Sequence, residues 1–122
     1  GDHALDTALY FYISRNMNNT LDIEEAAQMC AAIGSEPRRD LLRTLVRAGE
    51  AGLTVGQLQE RLSIPGSTLS HHLRFLSAAG LIEQEKQGRV VMNRAAFDTI
   101  HVLASYLVEE CCADEIKLRA AS

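Results

Sequence analysis

The stretch LTVGQLQERLSIPGSTLSHHLRFLSAAGLI (residues 53–82) decides the fold. Thr54 and Gln57 have the spacing of a capping box, which marks the start of a helix. Val55, Leu58 and Leu62 follow helical spacing and predict a short helix of about eight residues. The segment 63–66, Ser-Ile-Pro-Gly, then predicts a turn.

A second helix follows this turn. Gly66 or Ser67 is its expected N-cap, Leu69, Leu73 and Leu76 form its buried stripe, and Gly80 ends it. A short helix, a tight turn and a second helix with one apolar side form a helix-turn-helix pattern.

The other side of this second helix is polar. Small hydroxyls near a helix N-terminus suit contacts with phosphates and base edges, and longer polar side chains reach further into a major groove. The residues predicted to contact DNA here are Ser67, Thr68, Ser70, His71 and Arg74. His72, beside the leucine stripe, is expected to be structural or to face a phosphate. For any single residue, an alternative is equally good: the serines and threonine cap the helix, and Arg74 is a solvated surface charge. The prediction of DNA binding therefore depends on the combination of a short helix, a polar second helix and a hairpin with a basic tip.

A change of period after Leu81 predicts a two-stranded hairpin. Residues 82–86 and 89–93 are the expected strands, with Gln87-Gly88 at the turn. Lys86 and Arg89 at this tip are candidate contacts to the DNA backbone or minor groove, so the hairpin is interpreted as a wing.

Three further helices flank this unit. The first starts at Asp22 with a cap-like Glu25 and stops at Gly34, the second starts after Ser35 with Pro37 early, and the last follows the hairpin. Their expected apolar stripes are Ile23, Ala26, Ala27, Cys30 and Ile33 in the first; Leu41, Leu42, Leu45 and Val46 in the second; and Phe97, Ile100, Leu103, Ala104, Leu107 and Val108 in the last, which carries Cys111 and Cys112 near its end.

This order predicts a mostly α chain with a small β-hairpin wing, an α+β winged helix-turn-helix. A length of 122 residues fits one domain, and 47% hydrophobic residues suffice for a core. We assign residues 17–122 to this single domain. Residues 1–16 are interpreted as an N-terminal extension, residues added by cloning, or an alternative start before Met17.

The charge distribution favours a nucleic-acid partner although the net charge is −4. Residues 37–94 hold nine basic and five acidic side chains, whereas the segments before and after carry −5 and −3. A basic middle between acidic flanks fits a DNA-facing core on a protein-facing scaffold, so double-stranded DNA is the expected partner.

Other function classes fit the sequence poorly. It contains no run of 18 apolar residues and no signal peptide, so we expect a cytoplasmic protein without a membrane partner. Three cysteines, an odd number, favour reduced thiols over a disulfide framework. No Cys-x-x-Cys motif and no base near a cysteine point to a thiol enzyme, so we expect no enzymatic activity. A winged helix that binds only proteins is an alternative that fits the basic middle poorly.

The segments SEPRRDLLRTL (35–45), LTVGQLQERLSIPGSTLSHHLRFLSAAGLI (53–82) and EKQGRVV (85–91) together resemble the ArsR/SmtB family of metal-responsive winged-helix repressors. The resemblance covers about residues 22–112. It implies a homodimer formed mainly by the first and last helices, and a repressor that leaves its operator when an inducer binds.

The chain departs from two familiar inducer sites of that family. Arsenic and lead sensors carry Cys-Val-Cys in the short helix, where this sequence has Thr54-Val55-Gly56. Zinc sensors place two pairs of ligands along the last helix, whereas here Asp98 and His101 are followed by no second histidine. His101 is therefore expected to be a surface or packing residue.

The neighbouring Cys111 and Cys112 are the main candidate ligands. Thiolates favour soft centres; trivalent arsenic and antimony accept three sulfurs, and a methylated arsenical needs two. Many members presumed to respond to arsenite end their last helix in a similar Cys-Cys pair. Cys30 is the candidate third ligand, from the same or the opposite subunit.

The resulting expectation is a homodimeric repressor that leaves its operator when As(III) or Sb(III), as arsenite, antimonite or an organoarsenical, binds these thiolates. A redox, persulfide or soft-metal sensor on the same fold remains the alternative. In the alternative without a sensing function, Cys111 and Cys112 bind no ligand and Cys30 is a small buried apolar residue.

Overall fold

The computed structural model describes residues 21–109, 112–115 and 120. Its helices are α1 (Ile23–Gly34), α2 (Glu36–Ala48), α3 (Val55–Leu62), α4 (Gly66–Ala78) and α5 (Phe97–Val108), and a 3₁₀ turn, Gly49–Ala51, follows α2. Its strands are β1 (Leu53–Thr54), β2 (Ile82–Gln87) and β3 (Val90–Ala95). The predicted fold class, mostly helical with a small wing, is confirmed. The proposed extension, residues 1–16, lies outside the described residues.

The helix starts follow the predicted caps. The Glu25 N–H donates to Asp22 Oδ1 over 2.8 Å, and Ser35 caps α2 with Pro37 in its first turn. The capping box of α3 is complete, because the Gln57 N–H donates to Thr54 Oγ1 and the Thr54 N–H donates to Gln57 Oε1. One prediction was wrong: neither Gly66 nor Ser67 is the N-cap of α4, which is Pro65 and contributes no side-chain hydrogen bond.

The sheet has one strand more than the sequence predicted. Strand β3 pairs antiparallel with β2 from Ile82↔Ala95 to Gln87↔Val90, and its other edge pairs with the two-residue β1. β1 was missed because two residues carry no alternation of their own. Leu53 pairs with Asn93, a partner 40 residues along the chain.

A leucine-rich core joins α2, α3, α4 and the base of the wing. Its fully buried leucines are Leu41, Leu45, Leu58, Leu69, Leu76 and Leu81. The fully buried Asn93 lies among them: its Nδ2 donates to the carbonyls of Leu53 (3.2 Å) and Val91 (3.3 Å), and its Oδ1 accepts from Gln84 (2.8 Å). Asn93 thus satisfies its buried polar atoms while it fastens the wing to β1.

Several predicted apolar stripes need correction. α1 buries Ala26, Met29 and Ala32, whereas Ile23 is 73% exposed and Cys30 is exposed. In α2, Val46 is 40% exposed although it was assigned to the buried stripe. The reason is that helical spacing identifies an apolar side but not the element, or the partner, that covers it.

The last helix is shorter than predicted. α5 buries Val102 and Leu103 but ends at Val108, with Glu109 as its C-cap, before the cysteine pair. Leu107 and Val108 are each 63% exposed. Among the described residues, no helix combines the length and the apolarity needed to cross a membrane.

Candidate nucleic-acid interface

The helix-turn-helix is built around the turn between α3 and α4. Ser63 adopts a left-handed conformation (φ 53°) as the C-cap of α3, and Pro65 ends the turn. Leu69, Leu73 and Leu76 are then buried, at most 2% exposed, and orient α4. Because this stripe is fixed in the core, the opposite side of α4 faces solvent along its whole length.

The five residues predicted to contact DNA on α4 lie on that solvent side. Ser67, Thr68, Ser70, His71 and Arg74 are all exposed. Within the described residues, the N-cap of α4 provides no side-chain hydrogen-bond acceptor to the first turn, which leaves N–H groups there for an external acceptor such as a phosphate. The structure therefore brings hydroxyls, an imidazole, a guanidinium and free N–H groups together on one helix.

Phe75 was missed by sequence reasoning although it lies one turn after His71. It is 46% exposed, and its ring meets the His71 ring edge-on, with the centroids 5.1 Å apart and the planes inclined by 71°. The guanidinium of Arg38, from the first turns of α2, lies over the same ring at 4.5 Å. A large apolar residue outside the leucine stripe was the signal that could have identified it.

His72 occupies the flank between the exposed side and the leucine stripe. It is half-buried, and its Nδ1 is buried without a hydrogen-bond partner in the described part of the chain. Burial lowers the pKa of His72, and the charges of Arg38 and His71 lower it further. The neutral imidazole is therefore favoured, which fits a structural role better than a charged contact to phosphate.

The wing presents both of its predicted basic residues to solvent. Lys86 lies near the end of β2, and Arg89 follows Gly88 (φ 65°) in the turn between the strands. Behind the tip, Arg94 Nη2 and Glu85 Oε2 form an ion pair at 2.9 Å across the two strands. The two cations at the tip are not part of this ion pair, and they add two exposed basic side chains to those of the candidate interface.

The two cysteines that the structure describes lie outside α4 and the wing. Cys30 is an exposed free cysteine of α1, and Cys112 is exposed after α5 with a left-handed backbone (φ 62°). Cys111 lies outside the described residues. The described residues include no cluster of three or more His, Cys, Asp or Glu side chains able to hold a metal ion. His101 is exposed on α5, and Asp98 accepts a hydrogen bond from the Thr99 N–H.

The helix-turn-helix of this chain is similar to that of known proteins. Residues 33–85 match the family model described as a helix-turn-helix domain. An uncharacterized HTH-type transcriptional regulator of Methanocaldococcus jannaschii is 34% identical over 65 residues, which span 53% of this chain and 71% of that relative.

Two solved structures extend the likeness beyond residues 33–85. An ArsR-like transcriptional regulator from Rhodococcus sp. RHA1 is 31% identical, with a TM-score of 0.66 over 80% of this chain and 89% of that one. The transcriptional repressor BigR from Xylella fastidiosa is 27% identical, with a TM-score of 0.54 over 70% of this chain and 87% of that one.

Proposed function

Because this chain belongs to the ArsR family of DNA-binding helix-turn-helix transcriptional regulators, we propose that it is a homodimeric repressor whose operator affinity is abolished by trivalent arsenic or antimony. In this proposal α4 reads the major groove, the wing contacts the backbone or minor groove, and thiolates of Cys30, Cys111 and Cys112 bind the inducer. Arsenite, antimonite or an organoarsenical is the expected ligand.

The exposed polar side of α4 carries the DNA-binding part of the proposal. Serine and threonine in the first turn suit phosphates or base edges, while His71 and Arg74 lie farther along the helix where longer side chains reach bases. Lys86 and Arg89 add a second contact, since a basic hairpin tip can neutralise a neighbouring phosphate. Repression agrees with the similarity to the Xylella fastidiosa protein, which is a transcriptional repressor.

Exposed apolar residues on α1 and α5 support a homodimer. Ile23, Leu107 and Val108 are each more than 60% exposed, and α1 packs against α5 in the same chain. A symmetric partner that covered this surface would set two copies of α4 at the spacing of two half-sites. The dimer surface would also include the helix that carries Cys30.

The exposure of Cys30 and Cys112 supports a thiol-based inducer site, because both residues lie at the surface of the chain, where an external ligand can approach them. Trivalent arsenic and antimony bind up to three sulfurs in a pyramid, and thiolates favour such soft centres. A three-sulfur site would need Cys111 or thiols from both protomers. Ligation between α1 and the segment after α5 would change the dimer geometry and move the two reading helices out of register.

A redox or persulfide sensor is the second candidate, and the same accessibility of the two thiols favours it. Exposed thiols react with oxidants when they ionise, and an adjacent cysteine could resolve a sulfenic acid as a disulfide. In this case oxidation, rather than metal ligation, would release the DNA.

The test is a titration of the reduced protein on a labelled operator selected from random DNA. Arsenite, phenylarsenic(III) and hydrogen peroxide are added separately to the wild type, Cys30→Ser, Cys111→Ser and Cys112→Ser. Release by arsenite that is lost in all three variants supports a three-thiolate site. Release by phenylarsenic(III) alone, independent of Cys30, supports a two-thiolate site. Release by peroxide alone would replace arsenic with oxidation as the signal.

The DNA contacts are tested on the same operator without inducer. Arg74→Ala is expected to weaken binding by about tenfold or more, because a good base contact is worth about 1–3 kcal/mol. Arg47→Ala is the matched control, an exposed arginine on α2 outside the proposed interface. Equal losses in the two variants would contradict the assignment of α4 as the reading helix.

A further inference from the structure

Arg38 connects three helices through one side chain. Its Nε donates to the carbonyl of Ala32 over 2.7 Å, and its Nη2 donates to that of Ala31 over 3.4 Å. These carbonyls belong to the last turn of α1, where helical partners are lacking. An arginine close to a helix C-terminus satisfies such groups and also suits the negative end of the helix dipole.

The same guanidinium uses its flat face on α4. Its central carbon lies 4.5 Å from the centroid of the Phe75 ring, well within the range of a cation–π contact. A planar guanidinium can donate from its edge and stack through its face at once, which an ammonium cannot do. The edge of Arg38 is therefore held by α1 and its face supports Phe75.

Phe75 in turn borders the reading residues. Its ring receives the His71 ring edge-on at 5.1 Å, a geometry that aromatic pairs prefer. His71 and Phe75 are four positions apart (i and i+4), so they lie beside each other on the surface of α4. Contacts thus run from the end of α1 through Arg38 and Phe75 to His71, which faces solvent.

We infer that Arg38 is a positioning residue for DNA recognition, which fixes Phe75 and through it the orientation of His71 on the reading side of α4. This inference rests on the proposed function of that side of α4. A half-exposed phenylalanine without such support would sample several rotamers, and His71 would lose its neighbour. Binding of the operator would then have to order both rings, which lowers affinity for the correct sequence.

The experiment compares Arg38→Met, Phe75→Leu and the double variant on the selected operator and on a scrambled duplex. Each single variant is expected to lower the operator-to-scrambled affinity ratio by about three- to tenfold, the range that a cation–π contact supports. The double variant should lose no more than either single one, because both remove the same contact. Arg38→Lys should keep only part of the ratio, because it retains the charge without the planar face.

Three controls separate positioning from other roles. Arg47→Met removes an exposed arginine of the same helix and should leave the ratio unchanged. The salt dependence of operator binding should also stay unchanged in Arg38→Met, since a residue that contacts phosphate directly would reduce the slope by about one. The proton resonances of the His71 ring should shift in both Arg38→Met and Phe75→Leu without DNA.

The inference is overturned by losses that multiply in the double variant, by a reduced salt slope, or by equal losses on scrambled DNA. It also fails if the His71 resonances do not move. His71→Ala separates this failure from that of the proposed function. If His71→Ala weakens operator binding while Arg38→Met leaves the ratio intact, only the inference fails. If His71→Ala has no effect on operator binding, α4 does not read DNA as proposed and both fail.

Discussion

The helix-turn-helix with its wing (residues 36–95) and the two outer helices, α1 and α5, treat their apolar side chains differently. The first region encloses its leucines, and Leu45, Leu58 and Leu69 are fully buried within one chain. The outer helices leave Ile23, Leu107 and Val108 mostly exposed. A single chain therefore buries the leucine core of this first region, which we call the reading unit. It leaves large apolar side chains of α1 and α5 exposed, and a second subunit is proposed to bind there.

Neighbouring turns of α5 offer the sharpest test of this contrast. Leu103 is 5% exposed and Leu107 is 63% exposed. Leu103→Ala is expected to lower the free energy of unfolding by about 2–5 kcal/mol, because it leaves a cavity in the core. Leu107→Ala should cost about 0.5 kcal/mol or less in dilute, monomeric protein. Urea unfolding at two protein concentrations measures both.

The dependence on concentration gives the second half of that test. If Leu107 lies in a dimer interface, Leu107→Ala becomes more destabilising as the wild-type dimer forms at higher concentration. Leu103→Ala should cost the same at both concentrations. If the two variants lowered the free energy of unfolding equally in the monomer, this would contradict the distinction between a buried Leu103 and an exposed Leu107.

Two glycines, Gly49 and Gly52, test how closely the backbone segments of the reading unit pack together. Gly49 and Gly52 both have a positive φ, 75° and 72°, so an L side chain at either position is strained. A Cβ at Gly52 would also collide with the backbone carbonyl oxygen of Asn93, whereas one at Gly49 meets open space. Both glycines also have ψ near 180°, a region essentially confined to glycine, so Gly49→Ala should cost about 1–3 kcal/mol of unfolding free energy. Gly52→Ala should cost about 1–3 kcal/mol more because of the collision. Thermal unfolding of the two variants tests this, and similar losses would contradict it.

Removal of the buried Asn93 side-chain amide tests how much its hydrogen bonds stabilise the same unit. Asn93→Leu deprives the Leu53 carbonyl and the Gln84 amide of their partner, which should cost about 1–3 kcal/mol. Hydrogen exchange should rise first at β1 and the base of the wing. Gln84→Ala is the milder control, since it leaves the Asn93 bonds to Leu53 and Val91 in place. A stable Asn93→Leu variant with unchanged exchange would mean that the apolar packing alone holds the wing.

The same contrast explains what the sequence predicted. Capping at Asp22 and Thr54, the leucine stripe of α4 and the existence of the hairpin depend on residues close in the chain, so each was predicted correctly. The turn of the hairpin was placed one residue too early, because Gln87 ends β2 and Gly88-Arg89 forms the turn. The pairing of Leu53 with Asn93 and the contact of Arg38 with Phe75 join distant segments, and no local pattern encodes them. The exposed sides of α1 and α5 were misread as core because an apolar stripe does not identify the surface that covers it.

The candidate sites follow this division. The polar residues of α4 were predicted from the reading unit itself and are all exposed in the structure. The thiols depend on the ends of the chain and on subunit geometry, so the spacing of Cys30, Cys111 and Cys112 alone could not predict whether they meet.

The smallest expected effect is the change in unfolding free energy with pH that His72 causes in the reading unit. Since burial and the charges of Arg38 and His71 lower the pKa of His72, the folded protein binds a proton there less readily than the unfolded chain. The unfolded chain therefore gains protons first as the pH falls below about 6.5, and the free energy of unfolding decreases. His72→Leu should weaken this loss between pH 7 and 5.5. Urea unfolding across that window measures the slopes. A wild-type slope that is kept in His72→Leu would show that His72 is not the source of the proton sensitivity.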